Sequence, residues 1–300
     1  MGLQSGRGRR AGAVGAALAV LSAATLAGSP ARGAQPPAPA PAALPEVAAR
    51  TFRSASLNED RAYTVLLPVG YDRDTQRRYP VLYLLHGKSG DQTDWSTRAP
   101  LREAVGGTPL IVVMPDGDDG WYVDWADGVH RYDGQIVRDL VPHVDATYRT
   151  RAVREGRAVA GLSMGGYGAW RLALAHPDLF ASAASVSGAL RFPREGWDDG
   201  PKVFGTGAPS EMLRARNDVL ELAEAVQRNR AAWSGPALYL DCGTDDFLYD
   251  SNTRVRMFLR EIGVPYEYHE QPGGHSWEYW KVRLPDVLRF ALAHLAPAAP

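Results

Sequence analysis

Four short stretches carry side chains that could do covalent chemistry together. Gly161-Leu162-Ser163-Met164-Gly165 surrounds one hydroxyl with small residues, and Thr244-Asp245-Asp246 offers adjacent carboxylates. Gly273-Gly274-His275 presents an imidazole behind two glycines, and His86-Gly87-Lys88 closes an apolar run. A serine, an acid and a histidine in this chain order suit nucleophilic attack on an acyl group. The imidazole takes the hydroxyl proton, the carboxylate holds the imidazole, and backbone N–H groups stabilise the charge that develops on the attacked oxygen.

The candidates for each role differ in strength. Of seven histidines, His86 ends a strand-like run and fits a brace for the loop after it. His130 and His143 precede the serine and fit solvated or helix-surface roles. His176 and His294 fall on helical stretches, and His269 falls within a strand-like one. His275 follows the last apolar run, with glycines that let it reach back, and is the expected general base. Spacing alone leaves Asp245 and Asp246 both open as the acid. The single cysteine, Cys242, lies in Ala237-Leu238-Tyr239-Leu240-Asp241-Cys242-Gly243 and reads as a buried filler, so no internal disulfide is expected.

The elements that would position these residues follow from periodicity. Arg50 to Asp72 reads as two strands around a turn at Asn58-Glu59-Asp60, with Tyr63, Val65 and Leu67 alternating. YPVLYLLHG, PLIVVMPDG, RAVAGLS, FASAASVSGAL, PALYLDCG and VPYEYHEQPGG read as further strands. Most are continuous apolar runs, as expected of strands covered on both faces. Helical spacing separates several of them, in GQIVRDLVPHVDATY, GGYGAWRLALAHPD, NDVLELAEAVQRN, NTRVRMFLREIG and LPDVLRFALAHLA. The alternation predicts an α/β fold with a mostly parallel central sheet and helices on both faces. Ligands in such sheets bind beyond the carboxyl ends of the strands, where all four stretches fall.

A G-x-S-x-G match alone is weak, since roughly one chain in six of this size would contain it by chance. Its place between a buried strand and a helix is what makes it specific. Ser163 would sit on a sharp elbow, with Gly161 and Gly165 small so that strand and helix can approach. The Met164 N–H, at the helix start, would face developing negative charge. Chain order Ser, acid, His is that of the α/β-hydrolase fold.

The chain has 300 residues, 45% hydrophobic and 22% charged, with a formal net charge of −1. No basic surplus points to nucleic acid. Residues 1–34 read as a secretory signal, with a positive start, an Ala-rich apolar stretch and small residues for cleavage near Gly33-Ala34. A membrane anchor is the weaker reading, because the run is short and broken by Gly28 and Pro30. Residues 35–46 form a Pro/Ala-rich linker, and 47–300 a single folded domain. A secreted location without stable membrane insertion is therefore expected.

From about Thr51 onward the chain resembles the esterase D family of α/β hydrolases, which includes S-formylglutathione hydrolases, tributyrin-type, feruloyl and acetylxylan esterases, and mycolyltransferases. The matching segments are YPVLYLLHG, MPDGDDGWYVDW, AGLSMGGYGAW, HPDLFASAASVSGA, LDCGTDDFLY and GGHSWEYW. The resemblance implies Ser163 as nucleophile, His275 as base and Asp246 as the acid. It also implies an oxyanion hole from the N–H groups of Met164 and Lys88, with the Lys88 side chain free to lie in solvent. Mycolyltransferases of the family use Glu as the acid, and this chain offers Asp.

Trp121, Tyr122 and Trp125 follow the MPDG strand end. They are expected either to stack on a sugar or cinnamoyl ring or to pack beneath the loop. His86, Gly87 and Trp277 are further candidates for substrate contact. Trp277, Tyr279 and Trp280 are expected to wall the base. The stretch from about Leu190 to Trp233 interrupts the alternation as a small cap or a surface excursion. The expectation is a serine esterase without metal or organic cofactor, acting on small acyl or carbohydrate-linked acyl esters. Alternatives are thioester hydrolysis, acyl transfer onto an acceptor, and glycan binding by a silent triad.

Overall fold

The computed structural model describes residues 43–228 and 232–297. The expected signal and most of the Pro/Ala-rich linker lie outside the described residues. Eight strands form one sheet in the order β1-β2-β4-β3-β5-β6-β7-β8. They are β1 (Glu46–Ser54), β2 (Glu59–Leu67), β3 (Val81–Leu85), β4 (Ile111–Pro115), β5 (Arg157–Leu162), β6 (Ser182–Val186), β7 (Ala237–Gly243) and β8 (Glu267–Gln271). β1, β2 and β4 pair antiparallel. From β4 through β3, β5, β6 and β7 to β8 every pairing is parallel.

The first turn falls two to three residues earlier than the sequence suggests. Glu59 and Asp60 pair with Ser54 and Arg53, so the turn spans residues 55–58. Asn58 closes it at φ 57°, a left-handed conformation that asparagine tolerates.

The parallel strands are apolar on both faces because both faces are covered. Along β3, Val81, Tyr83 and Leu85 belong to one core, while Leu82 and Leu84 belong to the other. Along β4, Ile111 and Val113 alternate with Val112 and Met114 in the same way. Helices α1 (Asp94–Arg98), α2 (Leu101–Val105) and α10 (Trp277–His294) contribute to the smaller core. The larger core takes residues from the stretch α3 (Tyr132–Gly134), a π-helical segment (Gln135–Leu140) and α4 (Val141–Thr147). It also takes residues from α5 (Met164–Ala175), α8 (Val219–Arg228) and α9 (Tyr249–Glu261). Between β6 and β7 the interruption seen in the sequence is helical, with α6 (Gly200–Phe204), α7 (Ala208–Asn217) and α8.

The last helix starts well before the apolar run that signals it. α10 begins at Trp277 and carries Pro285 within it, so the aromatic residues after His275 are its first turn. Among the described residues, no helix is long and apolar enough to cross a membrane.

Candidate active site

Ser163 lies between the last residue of β5 and the first of α5, at φ 52° and ψ −118°. Residues with a Cβ seldom adopt positive φ, and such strain persists only where the surroundings enforce it. Here the enforcement is close packing. A Cβ on Gly161 would lie 2.4 Å from the Gly165 carbonyl, and one on Gly165 would lie 2.4 Å from His86 O. Glycine at both places lets β5, α5 and the end of β3 converge. Ser163 N donates to Val186 O at 3.0 Å, and Ser163 O accepts from the Ala189 N–H at 3.1 Å. Met164 opens α5, so its N–H has no partner within the helix and sits at the positive end of the dipole.

His275 comes from the loop between β8 and α10. Its Nε2 is 2.9 Å from Ser163 Oγ, and its Nδ1 is 2.9 and 3.0 Å from the two Asp246 oxygens. A carboxylate can only accept, so Nδ1 carries the proton toward Asp246 and Nε2 is left as an acceptor for the serine hydroxyl. The Asp246 side chain is fully buried and also accepts from Leu248 N at 2.9 Å. Asp245 points elsewhere. It is exposed, and its carboxylate accepts from the Gly273 N–H at 3.2 Å. The structure therefore brings Asp246, not Asp245, against the imidazole. The His275 ring packs beside Phe247 (4.6 Å between centroids) and meets Trp280 edge-on at 4.9 Å.

The other histidines are engaged elsewhere. His130 pairs with Asp127, His143 contacts Tyr63 Oη, His176 contacts Asp133 and His269 pairs with Glu267. His86 is buried, and both ring nitrogens are used: Nδ1–H donates to Gly87 O at 2.7 Å and Nε2 accepts from the Gly117 N–H at 2.9 Å. It braces the loop at the end of β3 and does not line the cleft.

Ser163 and His275 open into a cleft of about 710 Å³, lined also by Gly87, Lys88, Trp197, Phe247, Trp277 and Trp280. Trp121, Tyr122 and Trp125 do not reach it, which corrects their reading as substrate contacts. All three are buried. Trp121 stacks face to face on Phe192 at 3.4 Å, Tyr122 Oη donates to His86 O at 3.1 Å, and Trp125 Nε1 donates to Gly120 O at 3.1 Å. Their apolar bulk supports the loops from below. The Lys88 side chain is not loose in solvent either, since its Nζ lies 2.5 Å from Asp199 Oδ2. Among the described residues no cluster of three or more His, Cys, Asp or Glu side chains is arranged to hold a metal ion.

Two aromatic residues of the cleft escape the sequence reading. Phe247 follows the acid directly and is 67% exposed, an unusual setting for a large apolar ring. Its position beside Asp246 was the available signal. Trp197 lies in the excursion after β6, and no local pattern marks it.

Residues 54–291 match the family described as "Putative esterase". The chain belongs to this esterase family. A curated relative, an esterase of Mycobacterium tuberculosis, is 32% identical over 277 residues, which is 83% of this chain and 59% of that protein. The chain thus spans somewhat more than half the length of that relative. An acetyl esterase of Caldicellulosiruptor saccharolyticus is 28% identical over 248 residues, covering 76% of this chain and 91% of that one. Among solved structures, a ferulic acid esterase superposes with a TM-score of 0.73 at 30% identity, over 84% of this chain and 99% of its own. The esterase family and the parallel sheet with its elbow are thus in accord with the α/β-hydrolase expectation.

Proposed function

We propose that this chain is a serine esterase in which Ser163, His275 and Asp246 act as nucleophile, general base and orienting acid. The observation that supports this most is the chain of contacts from Asp246 through Nδ1 and Nε2 of His275 to Ser163 Oγ, each between 2.9 and 3.0 Å. As Oγ attacks the ester carbonyl, its proton passes to Nε2, and Asp246 stabilises the imidazolium. The carbonyl oxygen becomes an oxyanion facing the N–H groups of Met164 and Lys88. Collapse of the tetrahedral adduct breaks the C–O bond, and the departing alcohol takes the proton from Nε2. Water then attacks the acyl-serine by the same route, releasing the acid and restoring the hydroxyl.

The substrate we infer is a small acyl ester, free or carried on a carbohydrate. Support comes from the names of the acetyl esterase and ferulic acid esterase relatives and from a cleft walled by Trp197, Phe247, Trp277 and Trp280. Aromatic walls suit both an apolar acyl group and the apolar face of a sugar. The enzyme is further proposed to act after export. Residues 1–34 would be removed, 35–46 would serve as a linker and 47–300 as the esterase domain.

The test is initial-rate turnover of p-nitrophenyl acetate, butyrate and octanoate by the parent and by Ser163→Ala. Turnover falling at least about 10⁴-fold in the variant is the expected result. Equal rates from two folded proteins would rule out Ser163 as nucleophile.

A further inference from the structure

The excursion between β6 and β7 touches the catalytic loops through one carboxylate. Asp199 Oδ2 accepts from Lys88 Nζ at 2.5 Å and from Trp121 Nε1 at 3.1 Å. Lys88 belongs to the loop after β3, and Trp121 to the loop after β4. Two residues before Asp199, Trp197 forms a wall of the cleft and packs edge-on against Trp121 at 5.3 Å.

Both partners of Asp199 lie in or beside strained backbone. Ser89, next to Lys88, is at φ 62°, while Trp121 and Tyr122 are at φ 57° and 55°. Such conformations are held by contacts from outside the segment. For Ser89 the outside contacts are its N–H to Asp119 Oδ1 at 2.6 Å and the neighbouring Lys88–Asp199 pair. Burial works against charge on Asp199, yet the bonds from Lys88 and Trp121 hold its carboxyl below the usual range. The pair is too exposed for its contribution to lie in stability, with side chains 40% and 22% accessible. Together with the Trp121 bond, it links three segments at the cleft.

We propose that Asp199 is a positioning residue for the oxyanion hole: by gripping the Lys88 side chain, while its own place is held by Trp121, it sets where the Lys88 N–H points. This rests on the reading of Ser163 as the nucleophile and Lys88 as an oxyanion donor. The side chain of Lys88 then acts on the reaction only through its own backbone. A group with that role lowers the barrier without adding to ground-state affinity, so its loss should appear in kcat and not in KM.

The experiment is a double-mutant cycle with Lys88→Met, Asp199→Asn and the pair together, alongside Lys88→Arg and Ser163→Ala, on p-nitrophenyl acetate. Each single variant should lose kcat by about 10-fold, less than the 10²–10³-fold typical of deleting an oxyanion donor, with KM within two-fold of the parent. The double variant should be no worse than the poorer single one, and Lys88→Arg should recover most of the rate. Raising salt to 1 M should slow the parent toward Lys88→Met while leaving that variant unmoved, since salt screens a partly exposed pair. An unchanged kcat in Lys88→Met, a multiplicative double variant, a rise in KM alone or an identical salt response would each overturn the proposal. Asp199→Asn could weaken folding through Trp121, but Lys88→Met leaves that bond in place and decides the matter alone. Turnover that survives Ser163→Ala would instead defeat the underlying mechanism.

Discussion

The two neighbouring aspartates carry the sharpest residue-level contrast. Asp246 is buried against Nδ1 of His275, whereas exposed Asp245 ties Gly273 through its side chain at 3.2 Å and its own N–H at 2.9 Å. An amide at 246 could still hydrogen-bond the ring, but its NH₂ would favour the tautomer with the proton on Nε2, which cannot accept from serine. Replacing the orienting acid by its amide in this arrangement typically costs about 10⁴ in kcat. Asp246→Asn should therefore lose about that much on p-nitrophenyl acetate. Asp245→Asn keeps an oxygen for the Gly273 N–H and should stay within about three-fold of the parent, well short of an orienting acid's effect. The reverse order in steady-state kcat would transfer the role to Asp245.

At the scale of elements, the placing of His275 depends on how α10 is pinned to β7. Buried Asp241 accepts from Tyr279 Oη at 2.5 Å, Arg283 Nε at 2.8 Å and Tyr239 Oη at 2.8 Å. Tyr279 also packs under the histidine loop. A Cβ on Gly273, which stands at φ 148°, would lie 2.5 Å from its ring. Breaking one side of a buried, hydrogen-bonded ion pair costs about 3 kcal/mol or more. Asp241→Asn should lower the unfolding free energy from urea titration by that amount, with a matching fall in the midpoint, and Tyr279→Phe, which keeps the ring, should cost about 1.5–3 kcal/mol. A parental midpoint in Asp241→Asn would mean that packing alone holds α10. This network also marks the boundary of what the sequence discloses. The strands, the elbow and His275 are legible because apolar runs, glycines and strand ends are local signals. Asp241 within an apolar strand gives no hint that Tyr279 and Arg283 meet it from 38 and 42 residues away. The MPDG aromatics are ambiguous in sequence for the same reason. Trp121 packs on Phe192, and only the fold brings the excursion over that loop.

For the molecule as a whole, stability must come from the two cores on either face of the sheet, since the chain has one cysteine and can form no internal disulfide. That cysteine is a probe of how the sheet opens. Cys242 is buried in β7, a strand paired on both sides by β6 and β8, and it follows Asp241 directly. Burial pushes its thiol pKa up, and the nearby Asp246 and Asp241 charges push it further. Alkylation of the native protein must therefore wait for β7 to leave the sheet. Iodoacetamide at pH 8 should label the folded protein at least about 10³-fold more slowly than the urea-unfolded chain, as expected if only a globally open form reacts. Rapid labelling of the native protein would show instead that the β7–β8 edge opens locally. The same measurement on Asp241→Asn joins the scales: a loss of about 3 kcal/mol should quicken labelling by about 150-fold, a factor of ten for each 1.4 kcal/mol. A matching acceleration means that the element anchoring His275 and the fold carrying it open as one unit. A much smaller one means that the network stabilises α10 without holding the sheet together.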